Sequence, residues 1–341
     1  FWLKPFIFKG FGHQPALAPA NLLARRPGSE LMAPTDVDMP AQGGIVIFVD
    51  VDGVLNVGIR DQGEAPLLFD QANRDYARGQ CGQQAASQSD AACFEKIDSV
   101  SQRPLPLHGP EATYSDLACA KGSHISRALA RRLAGVVRAA GEDARVVLSS
   151  NWRRPAHAAR VRALEACVSE HLGEDFEFDA RTRPADERHA PDRLRCIGDY
   201  VEALCRPGGD FCDRPLRVLM LEDFFITPLD GWSCGDSKID SAAAAEAYVV
   251  GRAPAGARVA ARLVHPYDAW TTPGGLRVEI GAGLTEPFYR QAIDFLAEQP
   301  PLPRPSPAPP ATRKSLWLSG RREPRTHAQG SDPSKQALVG V

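Results

Sequence analysis

The chain has 341 residues, 43% hydrophobic and 24% charged, an ordinary balance for one or two globular domains with a core to bury. No apolar run approaches the ~20 residues that cross a bilayer as a helix, which excludes a helical membrane span. The formal net charge of −2 is unevenly spread: residues 44–298 hold 29 basic against 37 acidic side chains, whereas 299–341 hold seven against two, so the main body lacks the clustered positive face of a nucleic-acid binder.

Residues 1–43 show neither helical nor strand periodicity and are rich in Ala, Pro and Gly, which predicts a disordered leader. Arg25 and Arg26, with no acidic residue before Glu30, resemble an organelle transit peptide. From Ile45 to Val49 the run IVIFV reads as a strand buried on both faces, the kind found inside parallel sheets, and it stops at Asp50-Val51-Asp52-Gly53. Residues 59–120 are polar and irregular and read as a partly disordered, cap-like insertion after that strand. Ser123 is a candidate N-cap for a helix that places Ile125, Leu129, Leu133 and Val136 on one face. A strand from Arg145 to Leu148 runs into Ser149-Ser150-Asn151-Trp152.

A helix opening near Pro155 aligns Val161, Leu164, Val168 and Leu172, and another around Pro191 aligns Leu194, Ile197, Val201 and Leu204. Leu216 to Leu221 is a third buried strand, ending in Glu222-Asp223; Arg258 to Val264 is a further strand, and Thr285 caps a helix through Phe288, Ile293 and Leu296. Beyond it, seven prolines within residues 300–310 predict an extended, basic, disordered tail over 299–341. Strands alternating with helices predict an α/β domain over 44–298, a doubly wound, Rossmann-like parallel sheet. Eight scattered cysteines with no CxxC pair point to reduced thiols in an intracellular, cytoplasmic setting, with organelle targeting as the alternative.

In open parallel sheets ligands bind outside the carboxyl ends of the strands. Three predicted strand ends carry polar pairs: Asp50/Asp52, Ser149/Ser150 and Glu222/Asp223. Two carboxylates at a buried edge need a cation or hydrogen-bond donors to offset their desolvation. Such a pair can divide labour, one attacking an electrophile or binding a metal while the other moves a proton. The plainer readings are a solvated turn for the aspartates and strand-end capping for the serines. A calcium loop of the EF-hand type is excluded, because its sixth position would need glycine and holds Leu55.

The segment IVIFVDVDGVLN resembles the first motif of the haloacid dehalogenase-like superfamily, mostly magnesium-dependent phosphatases with an aspartate nucleophile. VVLSSNWR (146–153) is similar to its second motif and VLMLEDF (218–224) to its acidic fourth. LSSNWR with the late Gly283-Leu284-Thr285 is similar to a small branch found alone and attached to RNA-repair proteins. The resemblance spans 44–298 and implies that Asp50 attacks phosphorus while Asp52 serves as acid and then base. It implies further that Ser150, or in second place Ser149, binds the phosphoryl group. Asp223, Glu222 and Asp50, with the carbonyl of Asp52, would hold Mg²⁺. Asp236 and Asp240 form a competing acidic motif. The third motif departs from the pattern: no lysine lies between Lys121 and Lys238, and Arg193, then Arg195, is the candidate stand-in.

Trp152 and Trp270 read as packing groups. His265 and Asp268 either line the pocket or belong to a loop, and Arg153-Arg154 either receive a second phosphate or start a solvated helix. The expectation is a magnesium-dependent phosphohydrolase acting through an aspartyl-phosphate on a phosphorylated small molecule, with no membrane partner. A catalytically silent binding module of the same fold and a phosphatase of nucleic-acid ends are the alternatives. Composition names neither substrate nor oligomeric state.

Overall fold

The computed structural model describes residues 43–60, 66–80, 88–107, 112–183, 190–224, 226 and 232–298. The leader, apart from Gly43, and the tail read above lie outside the described residues. In chain order the elements are β1 (Gly44–Val49), β2 (Gly58–Ile59), β3 (Leu67–Leu68), α1 (Gln71–Gln80), α2 (Gln88–Gln102), α3 (Arg127–Ala140), β4 (Ala144–Leu148), α4 (Ala158–Leu172), β5 (Ala180–Arg181) and α5 (Ala190–Cys205). They continue with β6 (Leu216–Leu221), β7 (Trp232–Cys234), β8 (Ser237–Ile239), α6 (Ala242–Arg252), β9 (Val259–Val264), β10 (Tyr267–Thr271), β11 (Arg277–Gly281) and α7 (Glu286–Ala297).

Five of these strands form a parallel sheet in the order β5-β4-β1-β6-β9, flanked by helices. All six residues of β1 and all six of β6 are buried, which is why these strands read as unbroken apolar runs rather than alternating ones. Successive side chains of a strand point to opposite faces. Ile45, Ile47 and Val49 accordingly pack with Leu133 and Val136 of α3, Val161, Leu164 and Val168 of α4, and Phe295 of α7. Val46 and Phe48 pack with Leu194, Ile197 and Val201 of α5 and with Val249 of α6. Each such side chain, fully buried, contributes about 1.5–3 kcal/mol of transfer free energy.

Arg217, buried in β6, donates to the carbonyls of Phe295 (3.2 Å), Leu296 (2.7 Å) and Glu298 (2.6 Å), so a guanidinium satisfies the end of α7 and ties it to the sheet.

A second, four-stranded antiparallel sheet has the order β10-β11-β2-β3. Phe69, Ile97, Val100, Tyr114 and Leu117 pack against its Val278 and Ile280. The described part of residues 59–120 is therefore an ordered, helical structure with its own apolar cluster, where the sequence predicted an irregular one. Its apolar residues are widely spaced, and the strands completing its core arrive two hundred residues later in the chain. The helix expected to start at Ser123 starts at Arg127; Ser123 instead accepts the Ile125 N–H at 3.2 Å and closes a turn. Helix α6, the β7–β8 hairpin and strands β10 and β11 are not among the predicted elements; Asp268, read above as pocket lining or loop, lies in β10.

Candidate active site

Asp50 follows the last residue of β1, and its backbone N–H donates to Leu221 O of β6 at 2.9 Å, which carries the sheet's pairing one residue beyond the strand. The residue is 2% exposed, and Oδ1 accepts the Val51 N–H at 2.8 Å. The chain then makes a helical turn, with Leu55 N–H donating to Val51 O at 2.8 Å, and Gly53 takes φ +79°, a left-handed conformation that glycine adopts without a Cβ penalty. The late Gly-Leu-Thr segment pins this turn: Gly283 N–H donates to Gly53 O (3.0 Å) and Leu284 N–H to Val54 O (2.8 Å).

Asn56 clamps the turn from within. Its Oδ1 accepts the Gly53 N–H at 2.8 Å, and its Nδ2 donates to Asp52 Oδ1 (3.1 Å) and His124 O (3.0 Å). The indole N–H of Trp152 donates to the other oxygen of Asp52 at 3.1 Å, so this buried tryptophan packs in the core and also orients a carboxylate.

At the end of β4, Ser149 N–H donates to Val49 O at 2.9 Å, and its hydroxyl donates to Glu222 Oε1. Ser150 Oγ instead accepts the Trp152 N–H at 3.3 Å, capping the short 3-10 turn Asn151–Arg153. Of the two serines, Ser149 is the one brought to the acidic residues. Arg153 is buried and donates to the carbonyls of Ser149 (2.7 Å), Ser150 (2.8 Å) and Arg183 (3.2 Å); it holds the serine loop in place.

Glu222 and Asp223 end β6, both buried. Arg193, in the first turn of α5, joins the strand ends: one nitrogen, Nη2, donates to both Asp50 Oδ2 and Glu222 Oε2, while Nη1 lies 3.9 Å from Asp223 Oδ1. A second arginine, Arg60 just beyond β2, donates to the carbonyl of Asp223 and, at 2.6 Å, to its carboxylate. Sequence reasoning missed Arg60 because its partner lies 163 residues away. Asn56 had a signal, the polar end of the quoted first motif. Arg195 pairs with Asp192 at 2.8 Å in an exposed contact, and Asp236 and Asp240 lie on the β7–β8 hairpin, Asp236 exposed and Asp240 3.4 Å from Lys238. Neither set is in contact with Asp50. His265 meets Phe224 O through Nε2, and burial pushes its imidazole down to about 4, so the neutral ring donates that hydrogen bond. Asp268 pairs with Arg103 at 3.2 Å, on the side of the inserted helices, and Trp270 donates to Ser99 Oγ at 2.8 Å.

The electrostatics show a deficit of positive charge. Asp50, Asp52, Glu222 and Asp223 face two guanidiniums. Burial, with the charge of Asp50 added, pushes Glu222 up to about 8 against the pull of Arg193, and Asp223 up to about 7 against the pull of Arg60. Burial and then Asp50 also raise Asp52, opposed by its hydrogen bonds from Asn56 and Trp152. Burial works against the charge of Arg193, and three carboxylates hold it protonated. Among the described residues no three His, Cys, Asp or Glu side chains converge as a metal cluster, and an Arg193 nitrogen binds both Asp50 and Glu222. In charge and donor chemistry, hard oxygens with an excess of negative charge, the set nonetheless suits a hard divalent cation.

No protein-family model, curated protein or solved structure matches the chain. No helix among the described residues is long and apolar enough to cross a membrane.

Proposed function

We propose that this chain is a magnesium-dependent phosphohydrolase of the haloacid dehalogenase-like kind, acting on a phosphorylated small molecule through an aspartyl-phosphate on Asp50. On this reading the sheet is doubly wound and Rossmann-like, and the inserted helices with the four-stranded sheet serve as a cap. The observation that carries the reading is the meeting of Asp50, Ser149 and Glu222 at the ends of three adjacent parallel strands, with Arg193 bound between two of them. That is where open α/β sheets bind ligands.

The Asp50 carboxylate attacks phosphorus and forms an acyl-phosphate as the ester P–O bond breaks, and Asp52 gives its proton to the departing alcohol oxygen. Asp52, now a carboxylate, takes a proton from water, which attacks phosphorus and breaks the bond to Asp50, releasing inorganic phosphate. The Asn56 and Trp152 hydrogen bonds hold Asp52 in place for both transfers. Arg193 keeps Asp50 oriented and presents permanent positive charge to the phosphoryl oxygens. Asp50, Asp223 and Glu222, with the carbonyl of Asp52, are the groups that would hold Mg²⁺, which when bound neutralises the charge of nucleophile and phosphate together.

The test is hydrolysis of a generic aryl phosphate by the purified chain with Mg²⁺. Turnover that vanishes in Asp50→Asn supports the reading, and equal rates in parent and variant refute it. One observation favours a second reading, a catalytically silent module of this fold: Asp50 has Oδ2 bound to Arg193 and Oδ1 bound to the Val51 N–H. Metal binding without turnover on a broad phosphate panel would favour that module, and trapping a phosphorylated Asp50 mimic with beryllium fluoride would count against it.

A further inference from the structure

We infer that His124, Trp152, His157 and Arg160 form a subsite for a second anionic group, carried on the leaving side of the substrate. The inference rests on the phosphohydrolase reading, which places the leaving oxygen beside Asp52.

Trp152 anchors the subsite to the chemistry, because its indole N–H is bound to Asp52 at 3.1 Å. Three basic groups surround that one indole. The Arg160 guanidinium carbon lies 5.8 Å from the ring centroid. The His157 ring lies nearly parallel to the indole, at 25° and 6.4 Å, and the His124 ring stands edge-on, at 83° and 6.3 Å. Arg160 is exposed and has no carboxylate partner among the described residues, and none faces His157 in an ion pair. Burial and then Arg160 push His124 toward its neutral form, Asp52 and Asp70 oppose them, and His157 adds a smaller push. The indole contacts leave the Arg160 guanidinium and the His157 ring without a carboxylate among the described residues, and these two groups are the ones left to meet an arriving anion.

Position then selects the ligand. The phosphoryl group being transferred belongs with Asp50, Ser149 and Arg193, and Asp52 faces the oxygen that departs. The basic cluster, reached from Asp52 through Trp152, therefore meets the rest of the substrate. The chemistry that fits is a phosphomonoester whose alcohol bears a further phosphate, supplied either by a small bisphosphate or by the end of a polynucleotide. Arg153 is spent on backbone carbonyls and does not serve this role.

The test compares kcat/KM with Mg²⁺ on a sugar bisphosphate, the matching sugar monophosphate and a 5′-phosphorylated dinucleotide, in the parent, Arg160→Ala, Arg160→Lys and His157→Ala. The expected result is a preference of about tenfold or more for a substrate with the second phosphate. Arg160→Ala should lower that substrate's kcat/KM about tenfold more than the monophosphate's, mainly through KM, and Arg160→Lys should restore most of the loss. The better of the bisphosphate and the dinucleotide identifies the source of the second phosphate. Equal use of mono- and bisphosphate, or equal losses on both in Arg160→Ala, overturns the subsite while leaving the hydrolase reading intact. Where no substrate is turned over, titration calorimetry with pyrophosphate and inorganic phosphate on the Mg²⁺-loaded protein decides it: pyrophosphate binding about tenfold tighter, with that margin lost in Arg160→Ala, upholds the subsite, and equal binding overturns it.

Discussion

Replacing Arg193 by methionine keeps an apolar stem of similar length and removes the charge that joins three strand-end carboxylates. At about 4 Å and an effective dielectric of about 20, one charge pair is worth about 4 kcal/mol. Arg193 contacts two buried carboxylates and has a third at 3.9 Å, and desolvation of all the partners returns much of that gain. Removing one partner while the others stay buried leaves a net loss of about 3–5 kcal/mol near pH 8. Near pH 5.5 the loss should shrink to about 1.5–3 kcal/mol, the worth of the charge-assisted bond to Asp50, because Glu222 and Asp223, pushed up to about 8 and about 7, then hold protons. The neutral form of His265, pushed down to about 4, also makes stability depend on pH, but equally in parent and variant, so it cancels in the difference. Urea denaturation of parent and Arg193→Met in metal-free buffer at both pH values measures the two losses. A loss below about 1 kcal/mol at both, or a larger loss at the lower pH, would refute the account of Arg193 as the counter-charge.

In the parent, Glu222 and Asp223 titrate higher in the folded state than their ordinary 4.5 and 3.8. The folded protein thus holds more protons than the unfolded chain across that window, and stability falls as pH rises toward about 8. Above about pH 7.5 the contributions of His265 and His124, both pushed down from 6.5, are flat, so metal-free thermal melts should decline from there to about pH 8.5, and Mg²⁺ should raise Tm more at the upper end; a level profile insensitive to Mg²⁺ contradicts this. A Cβ added at Gly281 would lie 2.5 Å from Gly53 Cα and 2.9 Å from Asp223 Oδ2. Gly281→Ala should therefore shift the Asp50–Gly53 turn, costing about 1–3 kcal/mol and, on the proposed phosphohydrolase reading, more than about tenfold in phosphate hydrolysis, and full stability would show that the turn tolerates displacement. Arg217→Met removes the guanidinium donor from three carbonyls at the end of α7, of which Phe295 O keeps the Glu298 N–H, an expected cost of about 2–4 kcal/mol in urea denaturation, with faster amide exchange in the last turn of α7; unchanged exchange there would place the cost elsewhere.

What the sequence by itself determined is local in origin. Unbroken apolar runs over 45–49 and 216–221 mark strands buried on both faces, the 3.6-residue spacing of Leu194, Ile197, Val201 and Leu204 marks a helix, and the polar pairs that follow the strands mark the rim where carboxylates and hydroxyls gather. Arg193 was legible only through the resemblance, as the stand-in, at the start of a predicted helix, for the lysine that the third motif lacks. Only the tertiary structure decided which polar residue faces which. Adjacent residues at a strand end point to opposite sides, so Ser149 reaches Glu222 while Ser150 caps a turn, a choice that one residue of register reverses. Asp236 and Asp240 match an acidic motif by composition, but they lie on the β7–β8 hairpin, away from the strand ends. Arg60 and the four-stranded sheet were illegible because their partners are 163 and some two hundred residues away, and periodicity within a window of one or two turns carries no information about contacts made at that separation.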